Sequence, residues 1–194
     1  VDPAEIEKFA TLAAEWWNPN GPFGALHRLN PARLEYIRDT AVTHFATAKT
    51  KPLAGLDVLD LGCGGGLVSA PMARMGANVM GLDAAGEAIG AARAYADQAG
   101  LAIDFRLGTA EALAECGAAF DLVTALEIVE HVAEVGAFLT AASTLVKPGG
   151  LLTLSTINRT PKARALAIVG AERILKWAPE GAHDYDKLVT PDEI

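Results

Sequence analysis

From Lys51-Pro52 to Thr156 the chain alternates short apolar runs with amphipathic, alanine-rich stretches, and glycine or proline marks most of the junctions. Runs of this length read as strands at residues 57–61, 78–82, 103–107, 121–125 and 151–156. Between them, apolar spacing of three and four predicts helices through Met75, up to Ala99, over 110–115 and over about 132–146. Strand–helix alternation of this kind predicts an α/β fold, a parallel sheet with helices on both faces, whose ligand sits at the carboxyl edge of the strands. Ahead of this core, Ile6, Phe9, Ala13 and Trp16 share one helical face over residues 5–17, which Asn18-Pro19-Asn20-Gly21-Pro22 terminates. A second helix is predicted to start at Pro31, a residue suited to the first helical turn, and to run towards Ala46. The organisation expected is a helical cap over residues 1–50, a ligand-binding core over 51–157 and a lid or insertion over 158–194.

Composition narrows the function. The chain has 194 residues, a formal net charge of −8 and a pI near 5.0. A basic surface is needed to displace counterions from phosphate, so nucleic acid is excluded as a general partner and a small neutral or cationic ligand fits better. Mean hydropathy is +0.24, but alanine carries it, and no uncharged apolar run reaches the ~18 residues of a membrane-spanning helix. Two cysteines, Cys63 and Cys116, are too few for a disulfide framework or a structural zinc site, which predicts a reducing cytoplasmic setting.

The chemistry concentrates at the first strand–helix turn, Asp60-Leu61-Gly62-Cys63-Gly64-Gly65-Gly66. Glycines there permit a tight turn and close backbone approach to a ligand. Asp83 closes the second strand, 21 residues after Gly62, where a carboxylate can accept both hydroxyl hydrogens of a ribose. Asp60 decides which nucleoside cofactor is expected. A carboxylate just before the first glycines opposes the charge of a pyrophosphate, whereas the ammonium and sulfonium of S-adenosylmethionine are favoured by it.

Residues 58–66 resemble the first motif of the Rossmann-like methyltransferases, and Lys147-Pro148-Gly149-Gly150 resembles their turn into the fifth strand. That resemblance implies Gly62 and Gly64 against the methionine moiety, Asp60 near its amino group, Asp83 on the ribose, and Ala110 and Leu126 near adenine. Leu126 is equally readable as core packing. Outside the cofactor motif, Trp16-Trp17-Asn18-Pro19, the run from Leu26 to Leu34, Ser155 to Thr160, and the stretch from Ile168 to Asp184 are similar to segments of the ubiquinone-biosynthesis O-methyltransferases. Membership implies methylation of phenolic hydroxyls on a polyprenylated ring, with Arg33 gripping S-adenosylmethionine, for which a guanidinium fork on the methionine carboxylate is the physical reason.

Glu127-Ile128-Val129-Glu130-His131 follows the fourth strand and brings two carboxylates and an imidazole to the carboxyl edge. In some members of that family the matching residues bind a divalent cation. Two hard oxygens and a nitrogen suit Mg²⁺ and admit Zn²⁺ or Mn²⁺; a capped or solvated helix start is the alternative. A phenol is mostly protonated at neutral pH, so a metal ion or one of Glu127, Glu130 and His131 is expected to assist deprotonation before direct methyl transfer. His27 and His183 are secondary base candidates.

Pro161 to Trp177 carries Lys162, Arg164, Arg173 and Lys176 against Glu172, among Leu166, Ile168, Val169, Ile174, Leu175 and Trp177. Such a composition over 162–176 is expected to attach reversibly to anionic lipid, placing the protein at the inner face of the cytoplasmic membrane, and a ubiquinone-biosynthesis complex is a further partner. A lid or core helix is the competing reading of that segment. For the whole chain, a methyltransferase of another small phenol and a non-catalytic S-adenosylmethionine-binding subunit are the alternatives. The chain lacks an initiator Met and ends on Thr190-Pro191-Asp192-Glu193-Ile194, a helix start signal. Both features lead to the expectation that it is trimmed, with later strands of the sheet missing.

Overall fold

A computed structural model describes residues 12–163 and 185–194, apart from the side chain of Asp186. Most of the first predicted helix and of the basic segment 162–176, together with His183, lies outside the described residues. The strands are β1 (Asp57–Leu61), β2 (Asn78–Asp83), β3 (Asp104–Leu107), β4 (Phe120–Leu126) and β5 (Val146–Ser155). They form one parallel sheet in the order β3-β2-β1-β4-β5. The chain steps outward from β1 to β3, then returns across it to β4, so the loops after β1 and β4 diverge. Such a switch point at the carboxyl edge is where open parallel sheets bind their ligands.

Helices α1 (Gly24–Phe45), α2 (Ser69–Arg74), α3 (Gly86–Ala99), α4 (Ala110–Glu115) and α5 (Val135–Thr144) cover the sheet. Because side chains alternate along a strand, Val58 and Leu59 feed opposite layers. Val58, Val79 and Leu122 pack with Ile37 and Ala41 of α1 and Met72 of α2, whereas Leu59, Leu61 and Val123 pack with Phe138, Ala142 and Leu145. β5 stands at the sheet's edge and is at most half-buried along its length, apart from its exposed Pro148 and Gly149.

Boundaries depart most from the sequence reading at three places. Pro31 lies inside α1, not at its start. The helix begins earlier because Phe23 anchors its first turn by stacking on Trp16, with ring centroids 3.7 Å apart, and Asn30 donates to the Leu67 carbonyl at 3.0 Å. In place of a helix reaching Trp17, the described part of the first segment is a single 3-10 turn, Ala13–Glu15. β5 starts at Val146, with Lys147-Pro148-Gly149-Gly150 forming an irregularity in its pairing with β4.

Trp17 pins the amino-terminal segment to the core. Its indole N–H donates to the Gly65 carbonyl at 2.9 Å and its ring stacks on Tyr95 at 3.3 Å, whose hydroxyl accepts from Arg74. Trp17→Phe keeps the stack and removes one hydrogen bond, so the expected loss is about 1 kcal/mol. Thermal unfolding should show it as a fall of roughly 2–4 °C.

Candidate active site

The turn after β1 is built around a buried carboxylate. Asp60 is 3% exposed; Thr124 of β4 donates to its Oδ1 at 2.8 Å and Ser69 of α2 to its Oδ2 at 2.5 Å. Burial lifts this carboxyl from its ordinary 3.8 to about 6, against the pull of the two hydroxyls and with a further push from Asp83. Burial likewise pushes the Cys63 thiol up, which makes it a packing residue, not a nucleophile.

Gly62 and Gly64 adopt φ of +68° and +52°, the left-handed region that favours glycine. Close approach reinforces the requirement. A Cβ on Gly62 would lie 2.1 Å from Ile128 Cδ1, and one on Gly64 would lie 2.3 Å from the Trp16 ring. Asp83, last in β2, clasps the turn: Gly64 N–H donates to its Oδ2 and Ala85 N–H to its Oδ1, each at 2.8 Å. Burial raises the Asp83 carboxyl as well. Each of its oxygens retains acceptor capacity beyond these bonds, which suits the vicinal hydroxyls of a ribose.

A second cluster forms where α1 crosses the ends of β4 and β5. Arg33, its side chain 9% exposed, brings Nη2 within 3.0 Å of Glu127 Oε1. The pair is a charge contact without hydrogen-bond alignment, since Nε and Nη2 are buried and have no acceptor among the described residues. Orphaned donors on a buried guanidinium fit a carboxylate-bearing ligand, so Arg33, Asp60 and Asp83 together suit the carboxylate, ammonium and ribose of S-adenosylmethionine.

Glu127 takes φ of +52°, unusual for a residue with a side chain. Its N–H donates to the Ser155 carbonyl at 2.8 Å, and Ser155 Oγ donates to its Oε1 at 2.8 Å. A 3-10 turn, Val129–His131, follows. It buries Glu130 to 3% exposure, where Thr156 Oγ1 donates to Oε2 at 2.8 Å while Oε1 has no partner among the described residues. Burial, and then the charge of Glu127, raise the Glu130 carboxyl to about 7, a value poised for proton transfer near neutral pH.

The structure therefore brings Arg33, Glu127 and Glu130 together, with His131 half-buried at the end of the same turn. It does not arrange Glu127, Glu130 and His131 as metal ligands. Among the described residues no group of three or more His, Cys, Asp or Glu side chains could hold a metal ion. The left-handed kink turns Glu127 towards Arg33 and Ser155, while Thr156 binds one oxygen of Glu130, Oε2. The expected Mg²⁺ or other divalent cation finds no assembled set of ligands among the described residues. Ala110 and Leu126 enter different packing clusters, on β4 faces set by Ala125 and Leu122 respectively. His27 is engaged with the Trp16 carbonyl at 2.9 Å and serves the amino-terminal packing. Ser69, Thr124, Ser155 and Thr156, which hold the carboxylates, escaped the sequence reading as site residues because their partners lie 9 to 64 positions away.

Comparison with known proteins gives this geometry its context. A family described as "Methyltransferase domain" matches residues 59–154. The "Ubiquinone biosynthesis O-methyltransferase" of Cereibacter sphaeroides (strain KD131) is 55% identical over all of this chain and 79% of its own length. The protein of the same name from Sinorhizobium medicae is 53% identical over the same shares. The chain belongs to the ubiquinone biosynthesis O-methyltransferase family. It is a methyltransferase by descent. An S-adenosylmethionine-dependent methyltransferase from Clostridium acetobutylicum matches 84% of this chain and 60% of its own with a TM-score of 0.58 at 18% identity. The structure titled "DhpI-SAH complex structure" matches 80% of this chain and 68% of its own with a TM-score of 0.62 at 21% identity. At such identities these two likenesses speak for the fold alone. No helix among the described residues of this methyltransferase is long and apolar enough to cross a membrane.

Proposed function

We propose that this methyltransferase transfers the methyl group of S-adenosylmethionine to a phenolic hydroxyl of a polyprenylated ubiquinone precursor. One observation carries the reading: at the carboxyl edge, Glu130 holds an unpartnered, buried carboxylate oxygen beside the Arg33–Glu127 pair. Family membership supplies the substrate class. S-Adenosylmethionine supplies a methyl carbon already activated by its sulfonium. Arg33 holds the cofactor carboxylate, Asp60 faces its ammonium, Asp83 takes the ribose hydroxyls, and Gly62 and Gly64 let the turn lie close to it. Ala110 and Leu126 border the adenine side. Glu130 Oε1 accepts the phenolic proton, Glu127 keeps Arg33 in place, and His131 is a second proton acceptor at the edge of the turn. Transfer in line from sulfur to oxygen then needs only that donor and acceptor be aligned. Residues 1–50 act as the cap, 51–157 as the cofactor core and 158–194 as the substrate lid.

An assay with a short-chain polyprenyl catechol and with unsubstituted catechol tests this. The prenylated substrate should be methylated at least about 10-fold more efficiently, since burying a few methylenes yields that much discrimination, and a chelator should leave the rate unchanged. Equal rates would move the reading to another small phenol, and cofactor binding without turnover on either would point to a non-catalytic subunit. The cationic, apolar composition of 162–176 supports reversible contact with anionic lipid. Cosedimentation with anionic vesicles should fall when those residues are deleted.

A further inference from the structure

Two consecutive hydroxyl side chains at the end of β5 each hold one carboxylate from the end of β4. Ser155 is paired with Leu126 across the sheet and donates to Glu127; Thr156 follows it and donates to Glu130. A carboxylate bound by a hydroxyl through one oxygen has the direction of its other oxygen set. In Glu130 the bound oxygen is Oε2, and the other, Oε1, is buried and has no donor among the described residues. An acceptor atom without a donor in a side chain buried this far is a place for a ligand's hydrogen-bond donor. A hydroxyl is a donor of the right class, and the site lies at the carboxyl edge where the acceptor must meet the methyl group.

We infer that Thr156 is a positioning residue for methyl transfer: its hydroxyl fixes Glu130 Oε2 and thereby presents Oε1 to the acceptor's hydroxyl. This rests on the proposed O-methylation and specifies how its proton is handled. The phenolic O–H bond breaks with its proton passing to Glu130 Oε1. The oxygen forms a bond to the methyl carbon, and the carbon–sulfur bond breaks with its electron pair remaining on sulfur as a neutral thioether. Thr156 neither gains nor loses a proton overall. Its contribution is angular, and a misplacement of about 1 Å in such a group lowers turnover by up to ~100-fold.

Thr156→Val keeps the shape and removes the hydroxyl; Thr156→Ser keeps the hydroxyl. The valine variant should lose roughly 10- to 100-fold in kcat on the prenylated catechol, with the affinity for S-adenosylmethionine unchanged, and the serine variant should stay within about 3-fold of the parent. In a Glu130→Gln background, Thr156→Val should cause little further loss, because the hydroxyl acts through Glu130. Full turnover by the valine variant, equal losses in valine and serine variants, or an undiminished loss in the glutamine background would each overturn the inference. Thr156→Ala takes the place of valine where that variant does not fold, and unfolding of both would assign the hydroxyl to structure alone and overturn it as well. Failure of the unaltered enzyme to methylate the phenol would overturn the O-methylation reading, and this inference with it. Turnover by the parent with an inert Thr156 would overturn this inference alone.

Discussion

Glu130→Gln should lower kcat by about 10²- to 10⁴-fold, the usual contribution of a positioned general base, while S-adenosylmethionine binds as before. Glutamine preserves the volume and an oxygen for Thr156, so the fold is retained, but it has no carboxylate to receive the phenolic proton. Isothermal titration with the cofactor, set beside single-turnover methyl transfer, separates the two effects. Weakened cofactor binding in step with the rate would instead make Glu130 part of the cofactor site. The environment explains why this residue and not Glu127 is proposed to take the proton. Glu127 is held by Arg33 and Ser155; Glu130 is raised to about 7 by burial and by its neighbour's charge, and its buried Oε1 has no partner among the described residues.

Asp60→Asn is expected to stabilise the protein at pH 8 and leave it unchanged near pH 4. The folded state raises this carboxyl from 3.8 to about 6, so between those values the folded chain binds more protons than the unfolded one. Stability from this group therefore falls as pH rises through that window, and the cost is fully present above it. At ~1.36 kcal/mol per pH unit the cost is about 3 kcal/mol, or a melting-temperature gain of roughly 6–12 °C for the asparagine variant at pH 8. Melting curves from pH 4 to 8 on both proteins check it; a gain of equal size at both ends would disprove the titration argument. The same substitution should weaken S-adenosylmethionine binding, because it removes the anion proposed to face the cofactor's ammonium. A destabilising carboxylate retained at that position is a stability–function trade-off.

The parts legible in the sequence were those with a local cause. Apolar runs marked the strands, and Asp60, Gly62, Gly64 and Asp83 lie at the ends of neighbouring strands because alternation and parallel connection leave few other arrangements. Thr190-Pro191-Asp192-Glu193, read as a helix start, does form a capping box over a single 3-10 turn. Pro31 misled because proline suits a helix start by itself, whereas Trp16 and Phe23 provide an earlier anchor through a ring stack. The family resemblance implied Glu127, Glu130 and His131 as ligands of one cation. The positive φ of Glu127, supported by its pairing to Ser155, sends that side chain elsewhere. Backbone handedness at one residue leaves no trace in residue type unless the residue is glycine. The hydroxyls that hold the carboxylates are equally silent in sequence, being common residues whose role comes only from the partner the sheet brings to them.

Trp16 and Trp17, the two tryptophans among the described residues, both touch the glycine turn, one through its ring against Gly64 and Gly65 and the other through its N–H on Gly65. The protein therefore carries a built-in optical probe of this glycine turn. Exposure of the Trp16 indole to water should shift its emission to the red whenever that turn loosens. Loosening of the turn becomes readable by fluorescence at equilibrium and in stopped flow, with no label and no assay of methyl transfer.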